Sequence, residues 1–427
     1  MAFFFSRDTK VFMKWAYDST DTALYEIPVL DGFSFSQATN TSEVTLSEAA
    51  ASDGYSKRGR AMFTDSFAPA EWSFNTYMRP TKSGSGNAGA GSPVQHAGNA
   101  QEFAVEGPLW AAMSATSYDA AITGSSNGKV FGSAAATYEP NVFDFSSSNK
   151  TALGVFDLFF VLGASKDATD GMFETGVDGV TIYKLASCSV GSASIDFDID
   201  GIAQIAWSGQ GQTIEEAVAI NTGTSSANLA DGSTGQAAET TKGLIKEGVG
   251  DTDNYIRNKL TNLAISYDAS ETTGTDKGLL GSSDVTYNVT LTGGNITIEN
   301  NLTYLTPETL GSVNLPLGHV MGTRSISGNF TCYLDDRANG SLALFENLQE
   351  SRGVITNAFS LTFGIGGTTS TDKRIIATMP KCHLELPTHS LDDVISVETN
   401  FHSLPSDLSS STAANATNEI KLEYKVP

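Results

Sequence analysis

The sequence predicts a mainly β protein: two duplicated β-sandwich or barrel domains, each with one short helix, joined by a flexible linker. Three observations carry this. Short runs alternate apolar and polar residues at the period of a strand, as at 33–36, 72–75, 195–200, 296–299 and 395–400. Each such run offers one face to a core and one to water. Turn-forming residues separate the runs, with 41 glycines in 427 residues and abundant Ser and Thr. Finally, segments of the first half recur in the same order in the second.

In chain order, the first domain takes residues 1–212. Its early strands are marked by the alternation at 33–36 and 72–75. Residues 83–98 are rich in Gly, Ser and Ala and read as an insertion. At 108–113, Leu109, Trp110 and Met113 share one face at helical spacing, which predicts a short helix. Residues 121–150 form a loose stretch, and the acidic alternation at 195–200 is a late strand. Residues 213–253 are rich in Thr, Gly, Ser and Ala and read as the linker. The second domain takes 254–427, with a helix at 341–348 that aligns Leu344, Phe345 and Leu348 and a closing strand at 420–426.

The duplication rests on matched order. RDTKVFMKWAYD at 7–18 resembles RNKLTNLAISYD at 257–268, a spacing of 257 − 7 = 250. YEIPVLDG at 25–32 resembles YNVTLTGG at 287–294, and FDLFFVLG at 156–163 resembles FSLTFGIG at 359–366. Cys188 and Cys382 follow at similar distances.

Charge excludes several classes of function. Lys+Arg number 25 and Asp+Glu 48, so the net charge is 25 − 48 = −23, while only 17% of residues are charged. A general grip on nucleic acid needs clustered Lys and Arg to displace counterions, and a polybasic membrane anchor needs the same. The three cysteines, Cys188, Cys332 and Cys382, lie far apart without a C-x-x-C. That speaks against a disulfide framework or structural zinc and for small core residues. The apolar run at 2–5 is too short for a signal peptide or a membrane span. The expectation is synthesis in a cytoplasm, with the product staying soluble or assembling there.

No motif reads as a catalytic, cofactor or metal site. Residues 196–201 (DFDIDG) open like a calcium loop, but its twelfth position is Trp207, and Phe197 and Ile199 continue a strand alternation. Residues 84–89 match G-x-G-x-x-G inside a low-complexity run rather than between a strand and a helix. His383, His389 and His402 lack the spacing of a metal motif. What remains is the polar parity of the strands. It places Ser34, Ser36, Ser73, Asn75, Asp196, Asp198, Asp200, Glu385, Ser396 and Glu398 on solvated sheet faces.

Several stretches then resemble one family: 32–46, 60–74, 206–211, 255–260, 301–307 and 404–408. These are similar to the major tail tube protein of long flexible-tailed (siphovirus-type) bacteriophages, in the branch whose subunit fuses two tube domains. The resemblance runs over nearly the whole chain. It implies a structural virion protein, not an enzyme, that stacks as trimeric, pseudo-hexameric rings into a hollow tail tube. The polar residues above would then face the lumen and let double-stranded DNA pass without binding it. The long loops near 39–60 and 302–318 resemble the family's ring-stacking hairpins, with Glu43, Ser47, Tyr55, Lys57, Arg60, Tyr304 and Pro307 as candidate contacts. Expected partners are further copies of the chain and the tape-measure, tail terminator and tail-tip proteins. No cofactor or membrane is implied. The place is the virion tail, after assembly in the host cytoplasm. A surface-layer or adhesin-type assembly protein is the alternative, and it would call for an export signal.

Overall fold

A computed structural model describes residues 4–16, 22–45, 60–82, 102–114, 142–146, 153–163, 172–176, 179–221, 255–267, 284–310, 312–350, 359–391, 394–405 and 418–426. A 3-10 turn at Ser6–Asp8 leads into β1 (Thr9–Ala16) and β2 (Thr22–Ile27). There follow β3 (Ser34–Thr45), β4 (Arg60–Tyr77), β5 (Pro80–Lys82), β6 (Glu102–Ala104), helix α1 (Gly107–Ser114), β7 (Val142–Ser146) and β8 (Phe156–Leu162). The first half ends with β9 (Met172–Glu174), β10 (Thr181–Asp198), β11 (Gln204–Gly211), β12 (Thr213–Glu216) and β13 (Ala219–Asn221). The second half opens on a 3-10 turn at Asn258–Leu260 and continues with β14 (Asn262–Tyr267), β15 (Val285–Asn288), β16 (Leu291–Glu299), β17 (Leu302–Leu305) and β18 (Gly318–Met321). It closes with β19 (Ser325–Tyr333), helix α2 (Ser341–Glu350), β20 (Phe359–Ile365), β21 (Arg374–Leu384), β22 (Thr388–Leu391), β23 (Ile395–Ser403) and β24 (Asn418–Lys425). The protein is mainly β with a short helix in each half, as the alternation predicts.

Two layers of sheet enclose the core. One layer is a continuous antiparallel sheet in the order β3-β4-β11-β10-β16-β19-β23, with β22 and the end of β21 against β23. The other consists of β2-β1-β8-β10-β12 in the first half and β15-β14-β20-β21-β24-β7 in the second. β10 and β21 are long enough to serve both layers. β10 bends where Cys188 faces Phe156, and β21 bends where Cys382 faces Phe359. At the first bend Ser187 takes a left-handed conformation (φ 51°), and its N–H is held by Asp157 Oδ1 at 2.9 Å. Cys188, Cys332 and Cys382 are free and buried, and burial pushes the Cys332 and Cys382 thiols up to about 12. They act as core residues, as expected.

The pairing order β3-β4-β11-β10 recurs as β16-β19-β23-β21, so the strands of the two halves can be equated one by one. A cross-strand pair fixes the register. Trp72 lies opposite Gly209, and Gly328 lies opposite Phe401, so one aromatic ring covers one glycine in each half, with the sides exchanged. A Cβ on Gly209 would collide with the Ser189 carbonyl oxygen and the Trp72 ring. Gly209→Ala is therefore expected to cost roughly 1–3 kcal/mol by overpacking, read as a lower urea midpoint with unchanged slope. An unchanged midpoint would mean that the two strands can move apart.

Several expectations are corrected. The first sequence match shifts by two residues. Val11 faces Phe160 as Leu263 faces Phe363, so Val11 equates with Leu263 rather than with Thr261. Local identity had favoured aligning two tyrosines, whereas the ladder aligns the residues facing the core. The stretch read as loose at 121–150 contains β7, which pairs with the C-terminal β24 across the two halves. The stretch read as linker begins with β12 and β13, and its remainder at 222–254, like the insertion at 83–98, lies outside the described residues. Helix α1 is buried on every side rather than on one face, because it is wedged between the two halves.

Candidate functional site

The continuous sheet has one apolar and one polar face. Trp72, Phe74, Ala193, Ile195, Phe197, Ile205, Trp207, Ile296, Ile298, Phe330, Val397 and Phe401 are buried on the first. The second carries the residues picked out by parity apart from Asp200, which the chain turns off the sheet because β10 ends at Asp198, and register aligns most of them in rows. One row runs Ser34, Ser73, Ser208, Ser192, Glu299, Ser325 across six strands. The next runs Asn75, Ala206, Ser194, Thr297, Ser327, His402, His383. A third runs Tyr77, Gln204, Asp196, Asn295, Asn329, Asn400 and reaches Glu385 through its N–H. The fourth runs Asp198, Gly293, Thr331, Glu398, Thr388.

Side-chain bonds tie neighbours within these rows. Ser34 and Ser73 share a hydrogen bond of 2.8 Å, as do Ser192 and Ser208. Asn329 Nδ2 donates to Glu398 Oε1 at 2.9 Å, and Asn400 Nδ2 to Glu385 Oε2 at 2.9 Å. The amide of Asn400, and then His402 at 3.3 Å, hold the Glu385 carboxyl below its ordinary range, so it stays ionised. Ser36 is exposed opposite Glu71, Ser396 faces Tyr333 and Ser390, and Asp200 is exposed in the turn after β10. Parity alone also applied to Glu71, Gln204, Asn295, Glu299 and Asn329, which join the same face and had not been singled out.

The candidate loop residues separate. β3 and β4 extend well beyond the rest of the sheet, with Glu43 exposed opposite Met62 and Arg60 opposite Thr45 at the outer end. Ser47, Tyr55 and Lys57 lie outside the described residues. Pro307 stands in the loop after β17. Tyr304 is not a loop contact. It is buried on β17, and its hydroxyl donates to the carbonyls of Ser187 at 2.7 Å and Gln210 at 3.0 Å. It pins the β17–β18 hairpin to the sheet beside the β10 bend. That hairpin touches the β3–β4 arm, where Phe67 N–H donates to Asn314 O at 2.9 Å.

A second polar cluster, between the halves, carried no sequence signal. Tyr424 of β24 donates to Glu106 Oε1 at 2.5 Å and accepts from Trp110 Nε1 of α1 at 2.7 Å. Burial pushes the Glu106 carboxyl up to about 7. Nearby, Arg324 Nε donates to Asn300 Oδ1 at 2.9 Å, and its guanidinium reaches the Met113 carbonyl at 3.3 Å. These bonds satisfy buried groups and lock the two halves together.

Among the described residues no group of His, Cys, Asp and Glu is placed to hold a metal ion, and no helix is long and apolar enough to cross a membrane. No family model matches the chain. It is similar to the tail tube protein pb6 of Escherichia phage T5, with 26% identity over 409 residues that cover 94% of this chain and 73% of that protein. The resemblance carried by the residues thus stands: over nearly its whole length the chain is similar to a phage tail tube protein.

Proposed function

We propose that the chain is a structural subunit of a phage tail tube, that three copies close head to tail into a ring, and that stacked rings form a conduit for DNA. The structural role in a tail tube is what the homologue supports. The observation that carries the finer reading is the junction of β10 with β16, where Ser192–Asp198 pair with Gly293–Glu299 and join the two four-strand units edge to edge. Within the described residues, β3 pairs only with β4, and β22 only with β23, so each unit also leaves one open edge. β22 stands where the end of β10 stands, since Thr388 faces Glu398 as Ser194 faces Ala206. β3 stands where β16 stands, since Ser34 faces Ser73 as Asn295 faces Asn329. Repeating the internal junction sets Thr388, His389 and Ser390 of one copy opposite Ser36, Phe35 and Ser34 of the next. Unpaired edges of this kind are costly to leave exposed, and ring closure removes them.

Each chain brings eight strands, so three bring about 24. At ~4.8 Å per strand and a tilt of about 40°, the ring is roughly 45–50 Å across at the backbone, wide enough for a duplex after side chains are added. The polar rows line it. A wall of Asp, Glu, Ser and Asn offers the phosphates no counter-charge, so DNA slides. The first domain (1–212) and the second (254–427) remain one interlocked subunit through β7 and β24. The β3–β4 and β17–β18 arms stack rings on one another. Tape-measure, terminator and tip proteins complete the tail, which assembles in the host cytoplasm.

Negative-stain microscopy of the purified chain tests this, with hollow tubes of threefold rings expected and a persistent monomer overturning it. His389→Pro and Ser390→Pro, made singly, sharpen the test, because adjacent N–H groups of a strand point to opposite sides. The variant that loses the outward N–H keeps the thermal stability of the monomer and forms no tubes. Tubes from both variants would exclude pairing through β22.

A further inference from the structure

We infer that the segment around Phe4–Ser6 of one copy docks on Val394 and Ile395, where β23 begins, in the neighbouring copy, forming a second seam of the ring beside the sheet. The inference rests on the head-to-tail reading above, and its template lies inside the chain. Where the halves meet, the segment before β14 crosses the turn between β10 and β11. Ala203 N–H donates to Ile256 O at 2.9 Å, Asn258 N–H donates to Gly201 O at 3.1 Å, and Ile202 bridges Arg257. This crossing seals Ile256 and Ala203, which are 1% and 0% exposed.

The same two elements exist at the outer ends of the chain, without each other. Seven residues before the equated pair Val11 and Leu263 stand Phe4 and Ile256. Both lie over the equivalent glycine at the end of the neighbouring strand. A Cβ on Gly163 would meet Phe4 Cε1 at 3.3 Å, and one on Gly366 would meet Ile256 Cγ2 at 2.6 Å. On the other side, Ile395 stands where Ala203 stands, because Leu334 N–H donates to Ile395 O at 3.0 Å as Met78 N–H donates to Ala203 O at 3.0 Å. Yet Phe4 is 48% exposed and Phe5 54%, while Val394 is 57% and Ile395 39% exposed. Apolar residues are open at both ends, at the positions where their internal equivalents are sealed or bridged. The occupant that fits both is a second copy of this chain. The internal hydrogen bond then repeats as Ile395 N–H to Phe4 O, and the bridge as Val394 opposite Phe5.

Bridged residues of an antiparallel pair have Cα atoms about 4.5–5.5 Å apart, within disulfide reach. Phe5→Cys and Val394→Cys are therefore made in separate batches of the full chain, mixed, assembled and oxidised. The three native cysteines are buried and do not compete. Covalent dimers on a non-reducing gel are expected from the mixture and from neither variant alone. Tubes without dimers overturn the docking and leave the ring reading standing. If the wild-type chain itself builds no ring, the ring reading fails and the docking with it. Phe4→Asp gives an independent readout, since it would bury a charge at the seam. A critical concentration for assembly raised at least about tenfold, with monomer stability unchanged, supports the docking. An unchanged critical concentration overturns it.

Discussion

A chain carrying both Asp196→Lys and Glu398→Lys is expected to build tubes that pass DNA far more slowly at low salt. The two residues lie in different halves, on the exposed polar face of the continuous sheet. Among the described residues, Asp196 makes a long contact with Ser194 Oγ at 3.5 Å, and Glu398 accepts a bond from Asn329 at 2.9 Å. Losing these costs at most about 1 kcal/mol at an exposed site, so folding and assembly survive. The electrostatic change is large. Each substitution moves the face by two charges, so a ring of three copies changes by about 12, and every stacked ring repeats it. Lysines facing a duplex displace its counterions, and the affinity so gained falls steeply with salt. Triggered DNA release from particles built with the variant should slow by more than about a hundredfold at low salt and recover as salt rises. Release at the wild-type rate would place these carboxylates away from the DNA path. The parallel change Asp196→Asn with Glu398→Gln, which keeps the face polar, should leave release nearly intact.

The second large effect is on stability, through Glu106. Its carboxyl is buried between the halves, bonded to Tyr424 OH and to the backbone N–H of Arg79 just after β4, with the Arg79 charge nearby and Tyr255 lining the small cleft beside it. Burial raises it from 4.5 to about 7. The folded state therefore holds a proton that the unfolded state has already released between these values. Its stabilisation is complete below the unfolded value and is lost as pH rises through about 7. A shift of that size corresponds to about 3 kcal/mol. Glu106→Gln keeps an oxygen to accept from Tyr424 and cannot titrate. The difference in unfolding free energy between wild type and Glu106→Gln should thus change by about 3 kcal/mol from pH 4.5 to pH 8, in the direction of a relatively weaker wild type at high pH. Using the difference cancels the other carboxylates of an acidic chain. A difference that stays flat across that range would mean that water reaches Glu106 and keeps it ionised.

What could be read from the residues was local. The apolar parity of 72–75, 195–200 and 395–400 marked Trp72, Phe74, Ile195, Phe197, Val397 and Thr399 as facing the core, with Ile199 and Ile395 at the strand ends exposed instead, and the polar parity marked the opposite face, because a strand reverses its side chains at every residue. Leu344 and Leu348 marked α2 for a similar reason. Even the glycine-rich texture was informative, since Gly209 and Gly328 each make room for an aromatic ring on the facing strand.

Partner choice depended on residues far away in the chain. Nothing around 142–146 announces that β7 pairs with β24, and Tyr304 looked like a loop residue until its hydroxyl found two carbonyls at the β10 bend. Glu106 and Tyr424 are more than three hundred positions apart, so neither alone signals a buried acid. The sequence by itself determined strand period, face and the repeated order of segments, all of which follow from spacing along one strand. Only the tertiary structure decided that β10 meets β16 edge to edge and that, among the described residues, β3 pairs only with β4 and β22 only with β23. Such pairing is a contest among registers, won by the burial and hydrogen bonding of both strands together.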